Sequence, residues 1–229
     1  MNSHSDIQTQ QGFSIIELLV AMTIMLTVMA IASSVLFRGF SIRQRETRTT
    51  DALTSAQSAL NVISRELANA GFGMFDSAAT KVPHNGIVIA DSGEHRIRVR
   101  SNLDNSGGLP GTPASSTLAI NAPGEDVTYY FDSTTSSIIR HDPNGEGIGV
   151  PKTSFVVNRI SNVSFQYLDY AGVSSVPAGP NVVPTANTGR VIIVVEIQLE
   201  PVEGQPDNQT IKLTSEVTLR NNSYMLQQY

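Results

Sequence analysis

Residues Phe13 to Phe37 read FSIIELLVAMTIMLTVMAIASSVLF, twenty-five residues with a single charge, Glu17, and then twenty uncharged residues from Leu18 onward. At helical rise this run is roughly 37 Å long, enough to cross a hydrocarbon core of about 30 Å with some tilt. Two other readings compete. A buried helix of a soluble protein is seldom so long and so evenly apolar. A cleaved secretory signal has a basic start, a shorter apolar region and small residues after it. This run instead comes after MNSHSDIQTQQG and continues into Arg38, Arg43, Arg45 and Arg48. A membrane-spanning helix is the expectation. The mean hydropathy of -0.04 is then a cancellation between this run and a polar remainder.

A carboxylate inside a membrane helix costs about 3 kcal/mol and by default marks function, with a partner to be named. One partner is local, because Ser14 and Glu17 have the S-x-x-E spacing of a capping box, in which Glu17 folds back onto the helix start of its own chain. The stretch Gly12 to Val20, GFSIIELLV, also resembles the processing and methylation signature of type IV pilins and of the related pseudopilins of type II secretion. Three features carry the resemblance: the glycine, the glutamate five residues later, and an apolar stretch that begins at the cut. It implies that a membrane aspartyl peptidase cuts between Gly12 and Phe13 on the cytoplasmic side, with Gly12 permitting its close approach, and methylates the new Phe13 amine. It also implies a second partner for Glu17, the positive amino terminus of a neighbouring subunit in a filament's apolar core. The two roles are compatible, since one carboxylate can serve its own helix before assembly and a neighbour afterwards. Residues 1–12 carry no Lys or Arg and include Asp6, unlike the short basic leaders usual in that family. The arginines lie beyond the span, so the positive-inside rule alone would not place this amino terminus in the cytoplasm; the more specific signature sets the expected orientation.

No proline precedes Pro83, and Leu53, Ala56, Leu60, Ile63, Leu67 and Ala70 recur at spacings of 3 and 4. That pattern lines one helix face, and Gly71 and Gly73 come next as stop signals. A helix of roughly sixty residues is predicted, apolar all round in its first half and amphipathic in its second. The stripe could drive a coiled coil, but it spans only about two and a half heptads, so packing on a downstream domain is favoured. The remainder reads as strands: Gly86–Ala90, His95–Ser101, Thr117–Ile120, Asp126–Asp132, Ser136–His141, Asn162–Asp169, Arg190–Glu200 and Gln209–Arg220. Period-two alternation is clean through Val127, Tyr129 and Phe131, and through Val163, Phe165 and Tyr167. The strand from Arg190 begins apolar on both faces and alternates only later, which predicts that its first half is the most buried. Asp132 to Ser137 and Gln205 to Asn208 read as hairpin turns.

Several chemistries are disfavoured. With no cysteine there is no disulfide, thiol nucleophile or cysteine-held metal. The net charge of -5 lies entirely in residues 71–229, ten positive against fifteen negative, so neither nucleic acid nor an anionic surface is an expected partner of that part. His4, His84, His95 and His141 lack zincin spacing, and no G-x-S-x-G or phosphate loop occurs; no enzyme is predicted. Asp142, Asn144, Glu146 and Gly147 match the first half of a calcium-loop pattern, but Thr153 stands where a bidentate acid is required. Metal-free turns share that composition, as does the poorer start Asp104, Ser106 and Gly108. No cofactor is expected, with calcium at these oxygens as the one alternative reading. Arg96, Arg98 and Arg100 alternate opposite Ile97 and Val99, and with Arg140 read either as a basic patch or as a charged strand edge.

Further segments resemble the minor pilin subgroup often called PilW: ISRELANAGFGM from Ile63, RISNVSFQYLDYAG from Arg159, VIIVVEIQL from Val191 and LTSEVTLRNN from Leu213. An aspartate-rich loop of some members is reduced here to LDNSGGLPG, from Leu103. The expected architecture is α+β and pilin-like: a leader over 1–12, a transmembrane and filament-core helix over 13–37, its amphipathic continuation over 38–70, and a β-rich antiparallel head over 71–229. The resemblance implies a minor type IV pilin, processed by a prepilin peptidase and methyltransferase. It would sit in a bacterial inner membrane with its head outside the cytoplasm, then join other pilins in a pilus. A minor pseudopilin of the J kind, in type II secretion, is the nearest alternative; an envelope protein with one membrane anchor that never assembles is the second.

Overall fold

Lacking proline, the chain from Ile15 to Ala68 can bond each interior N–H to the carbonyl four residues back. In the computed structural model, which describes residues 12–74, 84–104, 120–169, 181–199 and 209–221, this stretch is one helix, α1 (Ile15–Ala68), of 54 residues. The boundary between two units of the chain falls inside it, after Arg48.

In the first unit the apolar side chains of α1 are exposed in every direction; Leu18, Ile24, Met29 and Leu36 lie between 56% and 63% exposed. Thr23, Thr27 and Ser34 donate their hydroxyls to the helix's own carbonyls of Val20, Thr23 and Ile31, at 2.8, 2.7 and 2.8 Å. These hydroxyls therefore need no water, as a helix placed in hydrocarbon requires.

The second unit contains the rest of α1 and two antiparallel sheets. The first sheet has the order β1 (Arg96–Arg100), β2 (Asp126–Asp132), β3 (Ser137–Asp142) and β4 (Lys152–Asn158). The second has the order β5 (Asn162–Asp169), β6 (Thr188–Gln198) and β7 (Thr210–Thr218). Each is a meander, so neighbours in sequence are neighbours in space. Ala56, Leu60, Ile63, Leu67 and Ala70, the stripe read from helical spacing, are all buried, and Leu53 packs against them. One continuous core joins this stripe to Ile97, Val127, Tyr129 and Ile138 of the first sheet and to Val163, Phe165, Val191 and Ile193 of the second. The fold is α+β and pilin-like, with a long amino-terminal helix whose second half covers antiparallel sheet.

The side chains flanking the stripe explain how one helix serves two sheets. Ser64 and Glu66 lie on opposite sides of the Ile63–Leu67 line, since each residue turns the helix by about 100°. The Ser64 hydroxyl meets that of Ser215 on β7 at 3.0 Å, whereas Glu66 accepts from Tyr129 and Arg140 on β2 and β3. Helix α1 ends where Gly71 takes φ 78°. A Cβ there would stand 2.0 Å from the His84 carbonyl oxygen, and one on Gly86 (φ 74°) would stand 2.1 Å from the Gly71 nitrogen. Only two glycines let these backbones cross so closely. The Gly71 N–H then bonds the Arg100 carbonyl at 2.8 Å, tying the helix end to β1.

Some expectations need correction or bounding. Gly86–Ala90 is not a strand: Ile87 makes an isolated bridge to Val99, and Ile89–Asp91 form a 3-10 turn. The Asn85 side chain takes the Ile87 N–H at 3.1 Å, satisfying locally a donor that a strand would offer to a neighbour. Strand β4 went unread because its burial does not alternate cleanly; a register shift opposite Ile138 and Ile139 moves Phe155 to a position 68% exposed. The first half of β6 is its more buried part, as expected. Val191, Ile193 and Val195 are buried, while Ile192 and Val194 are only half-buried beside their register neighbours Gln166, Ser164, Glu216 and Thr214. The second sheet is thus covered by the core on one side only. Thr117 to Ala119 and the turn Gln205 to Asn208 lie outside the described residues.

Candidate processing and assembly site at the start of α1

Gly12, Phe13 and Ser14 precede the first helical residue, Ile15. The Ser14 carbonyl accepts the Leu18 N–H at 3.1 Å, the first helical bond. The Ser14 N–H, which has no helical acceptor, bonds Glu17 Oε2 at 3.3 Å. This is the fold-back arm of the capping box, and it places a negative charge in the first turn, at the positive end of the helix dipole. Gly12, Phe13 and Glu17 therefore occupy one short segment at a helix start, with Phe13 87% exposed. Apart from its chain neighbours, no atom of the described residues lies within 4 Å of where a Gly12 Cβ would stand, so packing among the described residues does not require glycine at this position.

The other candidates hold the second unit together. Asp142 is buried; one carboxylate oxygen accepts the Asn144 N–H at 3.0 Å and the other the Gly124 N–H at 2.8 Å. Asn144 Oδ1 accepts the Gly149 N–H at 2.8 Å, and Glu146 turns toward Lys152 at 3.9 Å. The three side chains brace their turn with oxygens directed at N–H donors and an ammonium group, not at a shared centre. Asp104 bonds its backbone to Glu125; Ser106 and Gly108 lie outside the described residues. Among the described residues no cluster of three or more His, Asp or Glu side chains could hold a metal ion.

The basic-patch reading gives way to ion pairing for Arg98, Arg100 and Arg140, while Arg96 is exposed. Arg98 donates to both carboxylate oxygens of Asp126, at 2.7 and 2.8 Å, and also to Asp91; Arg100 adds a bond to Asp126 at 2.8 Å. Burial works against ionising Asp126, but the hydrogen bond from Arg98 and the charges of Arg100 and Arg98 outweigh it and hold its carboxyl below the ordinary range. The Arg98 guanidinium is correspondingly raised by its bonds to Asp126 and Asp91. Arg140 lies instead on Glu66, at 3.1 Å, and on Asp142, at 3.4 Å. His95 bonds the Val163 carbonyl through Nδ1 at 2.6 Å, bridging β5, and His141 meets Thr153 at 3.1 Å.

Two carboxylates escaped the sequence reading. Glu66 accepts the Tyr129 hydroxyl at 2.6 Å, and burial together with that charge pushes the tyrosine pKa up. Glu125 is fully buried and takes four backbone N–H groups, from Leu103, Asp104, Asn121 and Ala122. The signal for Glu66 was its position between Ile63 and Leu67 on the packing face. Glu125 carried none, because its donors come from two separate stretches of chain.

Residues 7–33 match the family model described as the prokaryotic N-terminal methylation motif. No curated protein and no solved structure matches the chain. The motif, spanning Gly12, Phe13 and Glu17, stands at the start of a helix long and apolar enough to anchor the chain in a membrane. Together these findings make the start of this chain similar to that of type IV pilin and pseudopilin precursors, ahead of a helix long and apolar enough to cross a membrane.

Proposed function

We propose that this chain is a minor type IV pilin of the PilW-like kind. A prepilin peptidase and methyltransferase removes residues 1–12 and methylates Phe13, and the subunit then joins other pilins in, or primes, a pilus. The observation that carries the proposal is the coincidence of the methylation motif over residues 7–33 with the boundary at which the apolar helix begins. A glycine at position 12 that packing does not require supports recognition by an outside protein. Glu17 supports assembly in the same way: its bond to Ser14 at 3.3 Å is exposed and readily exchanged for the charged amine of a neighbouring subunit, a stronger donor in an apolar surrounding. Before assembly the subunit resides in a bacterial inner membrane with its head outside the cytoplasm.

Mass spectrometry of the mature amino terminus tests the processing step. Methyl-Phe13 is expected; an intact Met1, or a cut elsewhere, would overturn it. Glu17→Ala is expected to leave cleavage intact while incorporation into filaments drops at least tenfold, and normal incorporation would remove the register role. Deleting the gene separates the machines: loss of pili supports the proposal, whereas loss of protein secretion with intact pili favours a J-type pseudopilin.

A further inference from the structure

Gly39 is a glycine that packing among the described residues does not require. It lies inside α1, and a Cβ there would meet no atom within 4 Å beyond its chain neighbours and the adjoining helix backbone. Glycine in a helix interior is about fivefold less favourable than alanine, because it loses more backbone freedom on ordering. The surroundings do not offset that loss. Arg38 ends the uncharged run from Leu18, and with it the apolar environment that enforces helical hydrogen bonds. The core begins only later: residues 38–44 are exposed, Arg45 is the next half-buried residue, and Ala52 is the first to pack on the core.

Two residues on, the Ser41 hydroxyl donates to the Arg38 carbonyl at 2.9 Å, the acceptor that helical geometry assigns to the Ile42 N–H. A serine that shares a carbonyl three residues back bends a helix and keeps that carbonyl bonded when the helical bond opens. Thr23, Thr27 and Ser34 bond back in the same way, but inside the apolar run, where no water competes for the carbonyls. In a helix without proline, nearby glycine and serine are the residues at which kinks form. A stretch held by neither lipid nor core is also where opening costs least. We propose that α1 bends at Arg38–Ile42 with Gly39 as the pivot, so that the anchor changes its tilt while the rest of the helix stays packed in the head. Such a joint lets one head keep its place while the apolar run adjusts to the hydrocarbon thickness around it. It presupposes the membrane anchoring of α1, but neither cleavage at Gly12 nor filament assembly.

The absence of cysteine makes the joint directly measurable. Ala21→Cys and Gln57→Cys, both exposed and each 18 residues from Gly39, carry spin labels in the full chain reconstituted in phosphatidylcholine vesicles. A straight helix holds the two backbone positions roughly 54 Å apart, and a bend of about 60° brings them roughly 7 Å closer. Pulsed electron resonance should give a distance distribution with a tail toward the shorter values, and Gly39→Ala should remove most of that tail. Hydrogen exchange of the amides from Gly39 to Arg43 should slow about fivefold in the same variant, with no change from Ala59 to Leu67. Because alanine strengthens a helix, loss of folding does not confound the variant. Co-flotation of the chain with the vesicles reads anchoring separately, so failure of the anchor and failure of the joint are told apart. A single narrow distance in the wild type, or exchange from Gly39 to Arg43 as slow as in the core stripe and unmoved by alanine, would overturn the proposal. So would a narrow distance together with self-association that Gly39→Leu abolishes, which would assign the glycine to close contact with a second helix.

Discussion

The two halves of α1 share a backbone and a freedom from proline, but differ in what their apolar side chains meet. From Leu18 to Ile42 those side chains point all round the axis and are exposed. From Ala56 to Leu67 the buried ones form a single stripe, with Ser64 and Glu66 on its flanks. Helix formation does not separate the halves; the distribution of apolar groups does. A helix apolar on every side is at minimum free energy where its surroundings are apolar on every side, and a helix apolar on one side where a protein core covers that side.

The sharpest way to break this comparison is a matched pair of truncations. Leu67→Ala removes a fully buried side chain and should destabilise the head by about 3 kcal/mol, whereas Leu26→Ala, 67% exposed, should change it by less than about 0.5 kcal/mol. Urea unfolding of the detergent-solubilised chain, monitored by tyrosine fluorescence since the chain has six Tyr and no Trp, reads both. Equal effects would mean that the halves unfold together and that the division after Arg48 has no energetic meaning.

A second prediction concerns the flank of the stripe. Glu66→Ala leaves the buried Tyr129 hydroxyl without its acceptor and takes from Arg140 one of its two carboxylates. A loss of about 2 kcal/mol is expected. Combined with Tyr129→Phe, the double variant should lose clearly less than the sum of the two single losses, because the same hydrogen bond is removed in both. Strict additivity would show that Glu66 acts through Arg140 alone.

The smallest expected effect is a pH dependence confined to the head. Because Asp126 is held below its ordinary value of 3.8, its ion pairs stabilise the fold fully above that value and fade as pH falls through the depressed folded value. The advantage of wild type over Asp126→Asn, about 1–2 kcal/mol near neutrality, should therefore persist to about pH 5 and shrink under stronger acid. An advantage that grew on acidification would contradict the assigned direction. The first half of α1 holds one acid from Leu18 to Arg48, Glu46, and should show no corresponding loss of helicity.

Legibility in the sequence depends on the range of the interactions concerned. The helix, its stripe, its glycine stop and the strands β2 and β5 could be read because spacing along the chain encodes them: Asp126–Asp132 and Asn162–Asp169 have the predicted bounds. The glutamate fold-back onto Ser14 was equally readable, being a contact three residues long. Strand β4 was not, since its alternation is broken by an extra residue, Val156, opposite the Ile138–Ile139 step of β3. The arginines of β1 could be seen to share a face, but Asp91 and Asp126, the partners of Arg98 and Arg100, are fixed only when β1 and β2 align, so whether these two formed a patch or a set of pairs was undecidable from spacing.

By itself the sequence determined the membrane-length apolar helix, the methylation motif at its start, the face that packs and the β-rich character of the head. Each is a property of residues within a few turns or a few strand positions of one another, where backbone geometry alone sets which side chains share a face. Only the tertiary structure decided that two sheets, not one, close on α1, that Ser64 and Glu66 each reach a different sheet, and that Glu125 gathers four N–H groups. Those contacts join residues far apart in the chain, and a buried polar group is stabilised by whichever donor or acceptor the completed fold brings within reach.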